Sequence, residues 1–511
     1  MKYLALLMLL AACSDAPTGA NDGPPSDAQC ASRVNDTEAK LVECIRKDAL
    51  WTHMQAFQQI AYANPGPDGH ASRNSGEPGY LASVNYVADL LRAAGYRVTV
   101  QSYTFPYAVF TGAPSFTEVS PTARTFALRS DFTAQPSSAN GEVTGQIQPA
   151  GGIAIPPSAT ALPSSGCSSD DFAGFVRGRI ALIQAGTCLY VQKARLAAAA
   201  GAGGVVIFNA GTPGRAAAVS CGGMEDVGVP VVCTTSYAVG VDLYSASQKG
   251  PTVVHLATPT IHDPQRADYN LIADSPYGDS SHVVVVDAHL DAIYGAGMLD
   301  NASGSATILE IALKLARTRT QNQLRYIWFG GEELGLLGSL YYVQHLAPAS
   351  LANIAFDIDA DVTATPNYVY AIADPANSQS VGGFPATVVP ASRIGTDAFT
   401  SYFTSAGLPV NVWSNDGTDS FSFSLVGVPN TGILTGQDCC KSLQDATVFG
   451  GTTGNYEGNL PGTDGGFVDR PFVWGDNLDN NDPVVLQTVS KAVASVVFKM
   501  ASDPSLAANR R

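Results

Sequence analysis

Two short apolar runs that each end in acidic residues constrain the fold of this chain most strongly. Residues 283–286 (Val-Val-Val-Val) precede 287–291 (Asp-Ala-His-Leu-Asp), and residues 324–329 precede 330–333 (Gly-Gly-Glu-Glu). Short runs rich in β-branched or aromatic residues are typical of buried strands. Side chains that follow such strands meet at the carboxyl edge of an open α/β sheet, where ligands and metals bind. The pattern therefore predicts an α/β fold with an imidazole and several carboxylates at one edge of its sheet.

The rest of the chain shows the same alternation of helices and strands on both sides of a long interruption. Apolar residues at helical spacing predict a helix over 78–95, and a strand follows over 96–105. Further along, the patterns predict a helix at 302–316, a strand at 368–372 and a closing amphipathic helix at 483–500.

The interrupting segment differs in composition and in its pattern of apolar residues. Between residues 108 and 262, short β-like runs with many Gly, Pro, Ser and Thr residues surround one Ala-rich helix at 191–200. We therefore predict a discontinuous α/β domain over 47–107 and 263–503, with a separate β-rich insert domain over 108–262.

Composition and charge exclude one class of partner. The 511 residues are 45% hydrophobic, which allows a sizeable core. The formal net charge is -16, and no basic run occurs. Because nucleic acids are bound by clustered Lys and Arg, a nucleic-acid partner is not expected.

Residues 1–12 have the pattern of a bacterial lipoprotein signal peptide, with an apolar run over 3–10 and Leu-Ala-Ala before Cys13. Cleavage there would free the thiol of Cys13 for a lipid anchor, and residues 13–46 would form a tether. We therefore expect a lipid-anchored protein of the bacterial cell envelope, with Ser14 favouring the outer membrane. The alternative is an ordinary secretory signal cut elsewhere. In both cases the apolar run is too short to span a membrane, which takes about 20 residues.

Eight cysteines remain besides Cys13, and an even number in an oxidising compartment predicts disulfides. Proximity in the sequence suggests the pairs Cys30 with Cys44, Cys167 with Cys188, and Cys221 with Cys233. The adjacent Cys439 and Cys440 either bridge each other or link elsewhere. A zinc site made of cysteines is disfavoured, because the sequence has no CxxC pair.

One imidazole among carboxylates suits zinc. A hydrolytic zinc site needs an open position for water and a base that takes the proton of that water. His289 offers a neutral imidazole, and Asp291, two residues on in an extended segment, is better placed to orient His289 than to bind metal. Asp300 precedes a predicted helix, so it could bind metal or simply cap that helix.

The adjacent Glu332 and Glu333 are harder to explain without a cation. Two carboxylates beside a core strand repel each other unless a cation or separate roles accommodate them. In a metal site one can be a ligand and the other a general base. The alternative is a solvated first helical turn, in which the helix dipole favours acidic residues.

These motifs together resemble the zinc aminopeptidases with co-catalytic metals, a family that includes secreted bacterial leucine aminopeptidases and glutamate carboxypeptidases. The resemblance is carried by residues 287–291, 300–304 (Asp-Asn-Ala-Ser-Gly) and 329–339 (Phe-Gly-Gly-Glu-Glu-Leu-Gly-Leu-Leu-Gly-Ser). It implies the phosphorylase/hydrolase-like α/β fold, in which helices sandwich a mixed central sheet. The insert resembles the protease-associated domain, with Gly-Arg-Ile-Ala-Leu at 178–182 and Gly-Thr-Cys at 186–188.

The resemblance implies a role for each residue of the site. His289 would bind the first zinc ion, Asp300 would bridge two ions, and Glu333 would bind the second. Glu332 would act as the base, and Asp291 would orient His289. The family takes a further ligand from an aspartate after a strand. We choose Asp361 over Asp359 and the fallback Asp357, because its spacing to Pro-Asn-Tyr at 366–368 follows the family pattern best.

One family ligand is missing from this chain. The family closes its second zinc site with a His near the C-terminus, where this sequence has Phe472 or Val473, and no His follows His345. Asp469 or Asp476 could replace that ligand with an oxygen, or the protein could bind one zinc ion instead of two.

Three functions are consistent with these residues. The first is a zinc-dependent exopeptidase acting on peptides, and we favour an aminopeptidase because the loop 413–423 has Asp416 and Asp419 for an α-amine and no Arg for a carboxylate. The second is a homologue that has lost catalysis and binds peptide or glycan. The third is a one-zinc acyltransferase similar to the glutaminyl cyclases.

Overall fold

The computed structural model describes residues 25–158, 160–457, 468–470 and 472–506. The predicted signal peptide, Cys13 and the first part of the predicted tether lie outside the described residues.

The described elements form two domains. The chain begins with α1 (Asp27–Ser32), α2 (Glu38–Cys44), α3 (Lys47–Ala63), α4 (Pro78–Ala94) and β1 (Arg97–Phe110). The insert contains β2 (Ser115–Ser120), β3 (Arg124–Thr125), β4 (Phe132–Thr133), β5 (Gly141–Pro149), β6 (Ile180–Gln184), α5 (Tyr190–Ala199), β7 (Gly204–Phe208), β8 (Val231–Thr235), α6 (Tyr237–Lys249) and β9 (Val253–Thr258).

The chain then returns to the first domain. Its elements are β10 (Thr260–Asp274), β11 (Asp279–His289), α7 (Ser303–Leu315), β12 (Asn322–Phe329), α8 (Leu337–His345), α9 (Pro348–Asn353), β13 (Ile354–Ala360), β14 (Ala371–Ala373), α10 (Val388–Ser405), β15 (Asn411–Trp413), α11 (Ser420–Leu425), β16 (Asn430–Leu434), α12 (Leu443–Phe449) and α13 (Pro483–Ser502). Short 3₁₀ turns occupy Ser169–Phe172, Pro375–Asn377, Val381–Gly383 and Leu478–Asn480, and a π turn occupies Met298–Ala302.

The central sheet is mixed and has the strand order β1-β10-β12-β11-β13-β16-β14-β15. The four strands β12, β11, β13 and β16 lie side by side and are parallel. The strands β10 and β14 flank them in the antiparallel direction. Four parallel strands therefore end at the same edge of the sheet.

The predicted sandwich of helices around this sheet is confirmed by strand β11. Its side chains alternate between the two faces, as strand geometry requires. Val284 and Val286 pack into the core formed with α3, α4, α7 and α13. Val283 and Val285 pack on the opposite face with Tyr342 of α8. Because both faces of this strand are buried, its sequence is an unbroken apolar run.

The insert is attached through a long antiparallel ribbon of β1 and β10, which pair from Arg97 with Asp274 to Phe110 with Thr260. The ribbon therefore extends three residues beyond the predicted domain boundary at 108. The insert has its own eight-stranded sheet, ordered β3-β2-β9-β5-β6-β7-β8-β4. It contains two helices, α5 and α6, so the prediction of a single helix was wrong.

The prediction of a tether over 13–46 is wrong for residues 27–45. These residues form α1 and α2, which a disulfide between Cys30 and Cys44 joins. Leu41 and Ile45 are fully buried in the main core, where α2 packs on α13. The composition rich in Pro, Gly and Asp ends earlier in the chain, so it did not describe this segment.

Other local predictions are largely confirmed. The predicted helices at 78–95, 302–316 and 483–500 correspond to α4, α7 and α13. The predicted strand at 368–372 is only Ala371–Ala373. All three predicted disulfides form, and Cys439 pairs with Cys440.

Within the described residues, α13 is the helix that is long and apolar enough to cross a membrane. It packs against α2, α7 and α10, and 67% of its most apolar window is buried inside the protein. Its hydrophobicity is explained by its place in the core.

Replacing Leu41 with Ala tests whether the N-terminal helices are part of the folded domain. We expect the free energy of unfolding to fall by about 2–5 kcal/mol, because a fully buried Leu leaves a cavity. The matched control is Val34→Ala, which changes an exposed side chain and should shift stability by less than about 0.5 kcal/mol. Chemical denaturation followed by tryptophan fluorescence measures both. Equal effects of the two substitutions would contradict the packing described above.

Candidate metal centre

The candidate site lies where three parallel strands end. His289 is the last residue of β11, and Asp361 directly follows β13. Glu332 follows β12 after the Gly330-Gly331 turn. Because these strands are neighbours, their carboxyl ends bring the three side chains to one edge, as the apolar runs predicted.

The side chains of the site surround the imidazole of His289. Its Nε2 atom lies 2.9 Å from Asp300 Oδ1, 3.3 Å from Asp361 Oδ1 and 3.8 Å from Glu332 Oε2. His289 is 1% exposed, and the Asp300 and Asp361 side chains are buried as well. One imidazole nitrogen and three carboxylates thus converge on one point.

The donor set fits a metal ion. His289 Nε2, Asp300 Oδ1 and Asp361 Oδ1 lie within 4.8 Å of one another. Among the described residues, none of these three buried atoms has a hydrogen-bond partner of acceptable geometry. Buried polar atoms are normally satisfied, so three such atoms facing one another indicate a binding site for a cation. A nitrogen and two carboxylate oxygens are ligands that zinc accepts.

The electrostatics of the site agree with this assignment. Burial alone would lower the pKa of His289, but the carboxylates of Glu332 and Asp361 raise it well above its usual value. Burial raises the pKa of Glu332 strongly, and the charge of Asp361 adds to the effect. The site therefore holds more negative charge than its imidazole can balance. A divalent cation would remove this imbalance and reverse both shifts.

The orientation of His289 is set by Asp291. His289 Nδ1 lies 3.2 Å from the carbonyl oxygen of Asp291 and 3.5 Å from its Oδ1. A carbonyl can only accept, so Nδ1 carries the hydrogen of this bond and Nε2 keeps a lone pair for a metal. Asp291 Oδ1 also accepts a bond of 3.3 Å from the Glu332 N–H. Asp291 thus positions both the ligand and the predicted base.

Ser75 holds this arrangement from the other side. Its hydroxyl donates to Asp291 Oδ2 at 3.0 Å, and its oxygen accepts from the Gly331 N–H at 2.7 Å. Gly331 has φ +65°, and a Cβ there would come within 2.7 Å of the Tyr103 hydroxyl. The turn before Glu332 therefore requires glycine. Residues 330–336 form turns, so the alternative of a solvated first helical turn for the glutamates is wrong.

The loop that leads to Asp300 is held in place by hydrogen bonds from Arg73 to its backbone. The guanidinium of the fully buried Arg73 donates to the carbonyls of Leu290, Ala296 and Gly297 at 2.5–2.7 Å. Burial lowers the pKa of Arg73 to about 10, which leaves it charged at neutral pH. The loop that leads to Asp300 is therefore built around one buried cation.

Further hydrogen bonds orient Asp300 and its carboxylate. Asp476 accepts from the N–H groups of Leu299 and Asp300 at 2.7 and 2.9 Å. The amide of Gln437 donates to Asp300 Oδ2. Because no side chain caps α7 and Asp300 Oδ1 faces His289, the alternative of a capping role for Asp300 is wrong.

A second group of carboxylates interacts electrostatically with Asp300. Burial raises the pKa of Glu333 well above its usual value, and Asp300 adds to this effect. Burial likewise raises the pKa of Asp469, followed by the charges of Asp476 and Asp300. Glu333 Oε1 and Asp469 Oδ2 are buried and have no hydrogen-bond partner among the described residues. Both carboxylates interact electrostatically with Asp300, but among the described residues only the donor atoms of His289, Asp300 and Asp361 lie within 4.8 Å of one another.

The position of the missing His does not contribute a ligand. Phe472 instead packs against the rings of Phe110 and Trp474, at ring-centroid distances of 5.6 and 5.7 Å. Asp476, the second candidate substitute, already accepts the two backbone N–H groups described above, so Asp469 is the better replacement.

The other aspartates considered from the sequence lie behind the site. Asp357 and Asp359 are buried on the opposite face of β13 from Phe356 and Ile358, next to Asp419. Burial, followed by the charge of Asp361, raises the pKa of Asp359 to about 7. Burial, followed by the charge of Asp359, raises the pKa of Asp419 well above its usual value. Asp419 is 1% exposed and interacts electrostatically with Asp359 and His289, so its contact with a substrate amine stays a prediction.

The fold and the donor set define a metal-dependent hydrolase of the α/β exopeptidase class. The profile of "Peptidase family M28" matches residues 270–497, and that of "PA domain" matches residues 143–243. An "Aminopeptidase" of Pseudomonas aeruginosa (strain UCBPP-PA14) is 35% identical over 438 residues, which cover 84% of this chain and 78% of that protein. The "Probable lipoprotein aminopeptidase LpqL" of Mycobacterium tuberculosis (strain ATCC 25618 / H37Rv) is 33% identical over 470 residues, covering 90% and 86%.

The chain belongs to peptidase family M28, and the predicted family and protease-associated insert are confirmed. Two solved structures share the fold. The aminopeptidase from Aneurinibacillus sp. strain AM-1 has a TM-score of 0.61 at 20% identity, covering 91% of this chain and 96% of that one. A zinc aminopeptidase from Bacillus subtilis has a TM-score of 0.56 at 21% identity, covering 89% and 96%. The protein is accordingly a zinc exopeptidase by family.

Sequence reasoning missed the residues that support the site. Ser75, Gln437 and the positioning role of Asp476 depend on contacts between segments more than 130 residues apart. The contacts of Arg73 with three carbonyls likewise could not be predicted from its neighbours in the chain. No local pattern marks such residues.

Replacing Asp361 with Asn tests the ligand choice. We expect zinc affinity to fall by about 100-fold or more, since even changes to residues that hold a ligand cost about 10- to 100-fold. The matched control is Asp357→Asn, which changes an equally buried aspartate whose raised pKa already favours the neutral form. Competition with a chromophoric chelator measures both affinities. If Asp357→Asn weakened zinc binding more than Asp361→Asn, the ligand would be Asp357.

Proposed function

We propose that the protein is an aminopeptidase that hydrolyses the N-terminal peptide bond of peptides, with His289, Asp300 and Asp361 binding zinc. The observation that carries the proposal is the convergence of these three unpartnered donor atoms beside Glu332. The relatives named as aminopeptidases, which match most of this chain, support it.

The bound metal would supply Lewis acidity and a water molecule of lowered pKa. Glu332 would take the proton of the attacking water and deliver it to the leaving amine. Its carboxylate lies 3.8 Å from His289 Nε2, beside the proposed zinc ligands. Asp291 holds the Glu332 backbone in place for this transfer.

A second ion would be held by oxygen atoms alone. Asp300 would bridge the two ions, and Glu333 would be the second ligand of the outer one. Asp469 would replace the family's missing His, and its unpartnered oxygen and its charge interaction with Asp300 support this choice. Without an imidazole, we expect this ion to bind more weakly than the first.

We also propose that the protein works outside the cytoplasm, anchored through a lipid at Cys13 or secreted. Four disulfides fit an oxidising compartment. The relative from M. tuberculosis is named a lipoprotein, which agrees with a lipid anchor.

Replacing Glu332 with Gln tests the proposed base. We expect kcat for leucinamide to fall by about 10²–10⁴-fold, because the amide cannot accept the proton. Zinc content should stay unchanged, since Glu332 is not a ligand in this proposal. Turnover is measured from ammonia release and metal content by plasma mass spectrometry.

The wild-type protein provides the decisive comparison. A zinc-loaded wild type that cleaves no aminoacyl amide or peptide would support a homologue that only binds. Cyclisation of N-terminal glutamine without hydrolysis would favour the glutaminyl-cyclase alternative.

Replacing Asp469 with Asn tests the second ion. We expect the wild type to retain two metal ions after mild dialysis, and the variant to retain one. The matched control is Asp479→Asn, which neutralises an exposed aspartate ten residues away and should keep both ions. If Asp469→Asn also retained two ions, Asp469 would not be a ligand.

A further inference from the structure

A buried lysine lies against a disulfide of the insert. Lys193 on α5 is fully buried, and its ammonium group donates to the Ser165 carbonyl at 2.5 Å. The same nitrogen lies 3.3 Å from the Sγ atom of Cys167, which is bonded to Cys188. A cysteine sulfur is only a weak hydrogen-bond acceptor, and a buried charge is costly unless it is paired. The intact disulfide is therefore a poor partner for this lysine.

The surroundings of Lys193 keep it charged. Burial lowers the pKa of Lys193 to about 8, and the charge of the Asp171 carboxylate opposes this shift. Asp171 Oδ2 is itself held by the backbone, since it accepts from the N–H groups of Cys167 and Ser168 at 2.9 and 3.1 Å. The amine is mainly protonated at neutral pH, so a cation lies beside the disulfide.

This cation makes Cys167 the better leaving group of the two cysteines. When a thiolate attacks a disulfide, one sulfur atom of the disulfide leaves as a thiolate, and the sulfur of the thiol with the lower pKa leaves faster. A lysine beside a cysteine lowers the pKa of its thiol. The ammonium of Lys193 contacts Cys167 Sγ, so an attacking thiolate is directed to Cys188.

A small thiol can reach this disulfide from the surface of the insert. Cys167 and Cys188 are both half-buried. Cys167 Sγ lies 3.5 Å from the hydroxyl of Thr187, an exposed residue. Leu189, which follows Cys188, is 72% exposed. The segment around Cys188 therefore lies at the surface, while the lysine lies beneath it.

A second disulfide shows why access matters as well as the cation. The guanidinium of Arg33 lies 3.1 Å from Cys44 Sγ. However, Cys30 and Cys44 are 1% and 0% exposed, which closes their disulfide to an attacking thiolate. Arg33 is also paired with Glu43 at 2.5 Å. The disulfide beside Lys193 combines a cation with access, and the N-terminal disulfide provides an internal control.

We propose that Cys188 is a modification site, at which a small thiol forms a mixed disulfide while Cys167 leaves as a thiolate paired with Lys193. The thiolate of the small molecule attacks Cys188 Sγ and forms a new S–S bond there. The bond between the two cysteines breaks, and its electron pair stays on Cys167 Sγ. One disulfide is exchanged for another, so no oxidant or other reductant is needed. A thiolate stabilised by a lysine is also a weaker nucleophile, which slows the reverse attack.

The test exposes the folded, full-length protein to glutathione. N-Ethylmaleimide then blocks the freed thiols, and peptide mapping at acid pH by mass spectrometry locates both labels. We expect glutathione on Cys188 and maleimide on Cys167, in about tenfold or greater excess over the reverse arrangement. Cys30 and Cys44 should stay unlabelled. Glutathione mainly on Cys167, no label on Cys188, or equal labelling of the N-terminal disulfide would each overturn the proposal.

Replacing Lys193 with Gln tests the role of its charge. Gln retains a hydrogen-bond donor but removes the cation, so we expect glutathione to label Cys188 about tenfold more slowly. The matched control is Arg195→Gln, which removes an exposed charge, paired with Glu225, from the same helix and should keep the wild-type rate. Equal rates for the wild type and Lys193→Gln would contradict the assigned role of the lysine and overturn the proposal. If Lys193→Gln does not fold, the distribution of the two labels in the wild type still decides it.

Discussion

The structure depends on the negative charge buried at the carboxyl edge of its central sheet. His289, Glu332 and Asp361 reach one point because β11, β12 and β13 are parallel neighbours. Asp300 joins them from a loop, and burial opposes ionisation of the Asp300 and Glu332 carboxylates. A divalent cation balances this charge better than the single imidazole can. The affinity for metal is thus a consequence of the fold that places acids at strand ends.

The surroundings of the site serve to hold these acids in place. Arg73 fixes three carbonyls of the segment between His289 and Asp300, and Asp476 fixes the backbone at Asp300 itself. Asp291 links the orientation of His289 to the position of Glu332. Ligand, bridge and base are therefore positioned through shared contacts. These shared contacts fix the positions of the reacting groups relative to one another, as catalysis requires.

Much of the site could be predicted because its motifs are local. The valine run of β11 marks a strand buried on both faces, and the acids directly after β11 and β12 must lie at that edge of the sheet. Asp361 was selected over its neighbours by spacing, and the structure places it rather than Asp357 beside His289. The prediction of a tether failed because this segment has few buried hydrophobic residues: α2 buries Leu41 and Cys44, and Ile45 follows it. Such short helices are stabilised by packing on distant elements, here α13, which leaves little local signal.

The sequence by itself determined the class of fold, the metal-binding motif and the absence of a His after residue 345. These are properties of residue type and spacing. In a strand, the spacing between two residues determines whether their side chains point to the same face. Only the tertiary structure decided which atoms are left without hydrogen-bond partners and that Phe472 lies among aromatic rings. Those features arise from contacts between segments far apart in the chain. Their energies depend on distances and burial, which the order of residues does not specify.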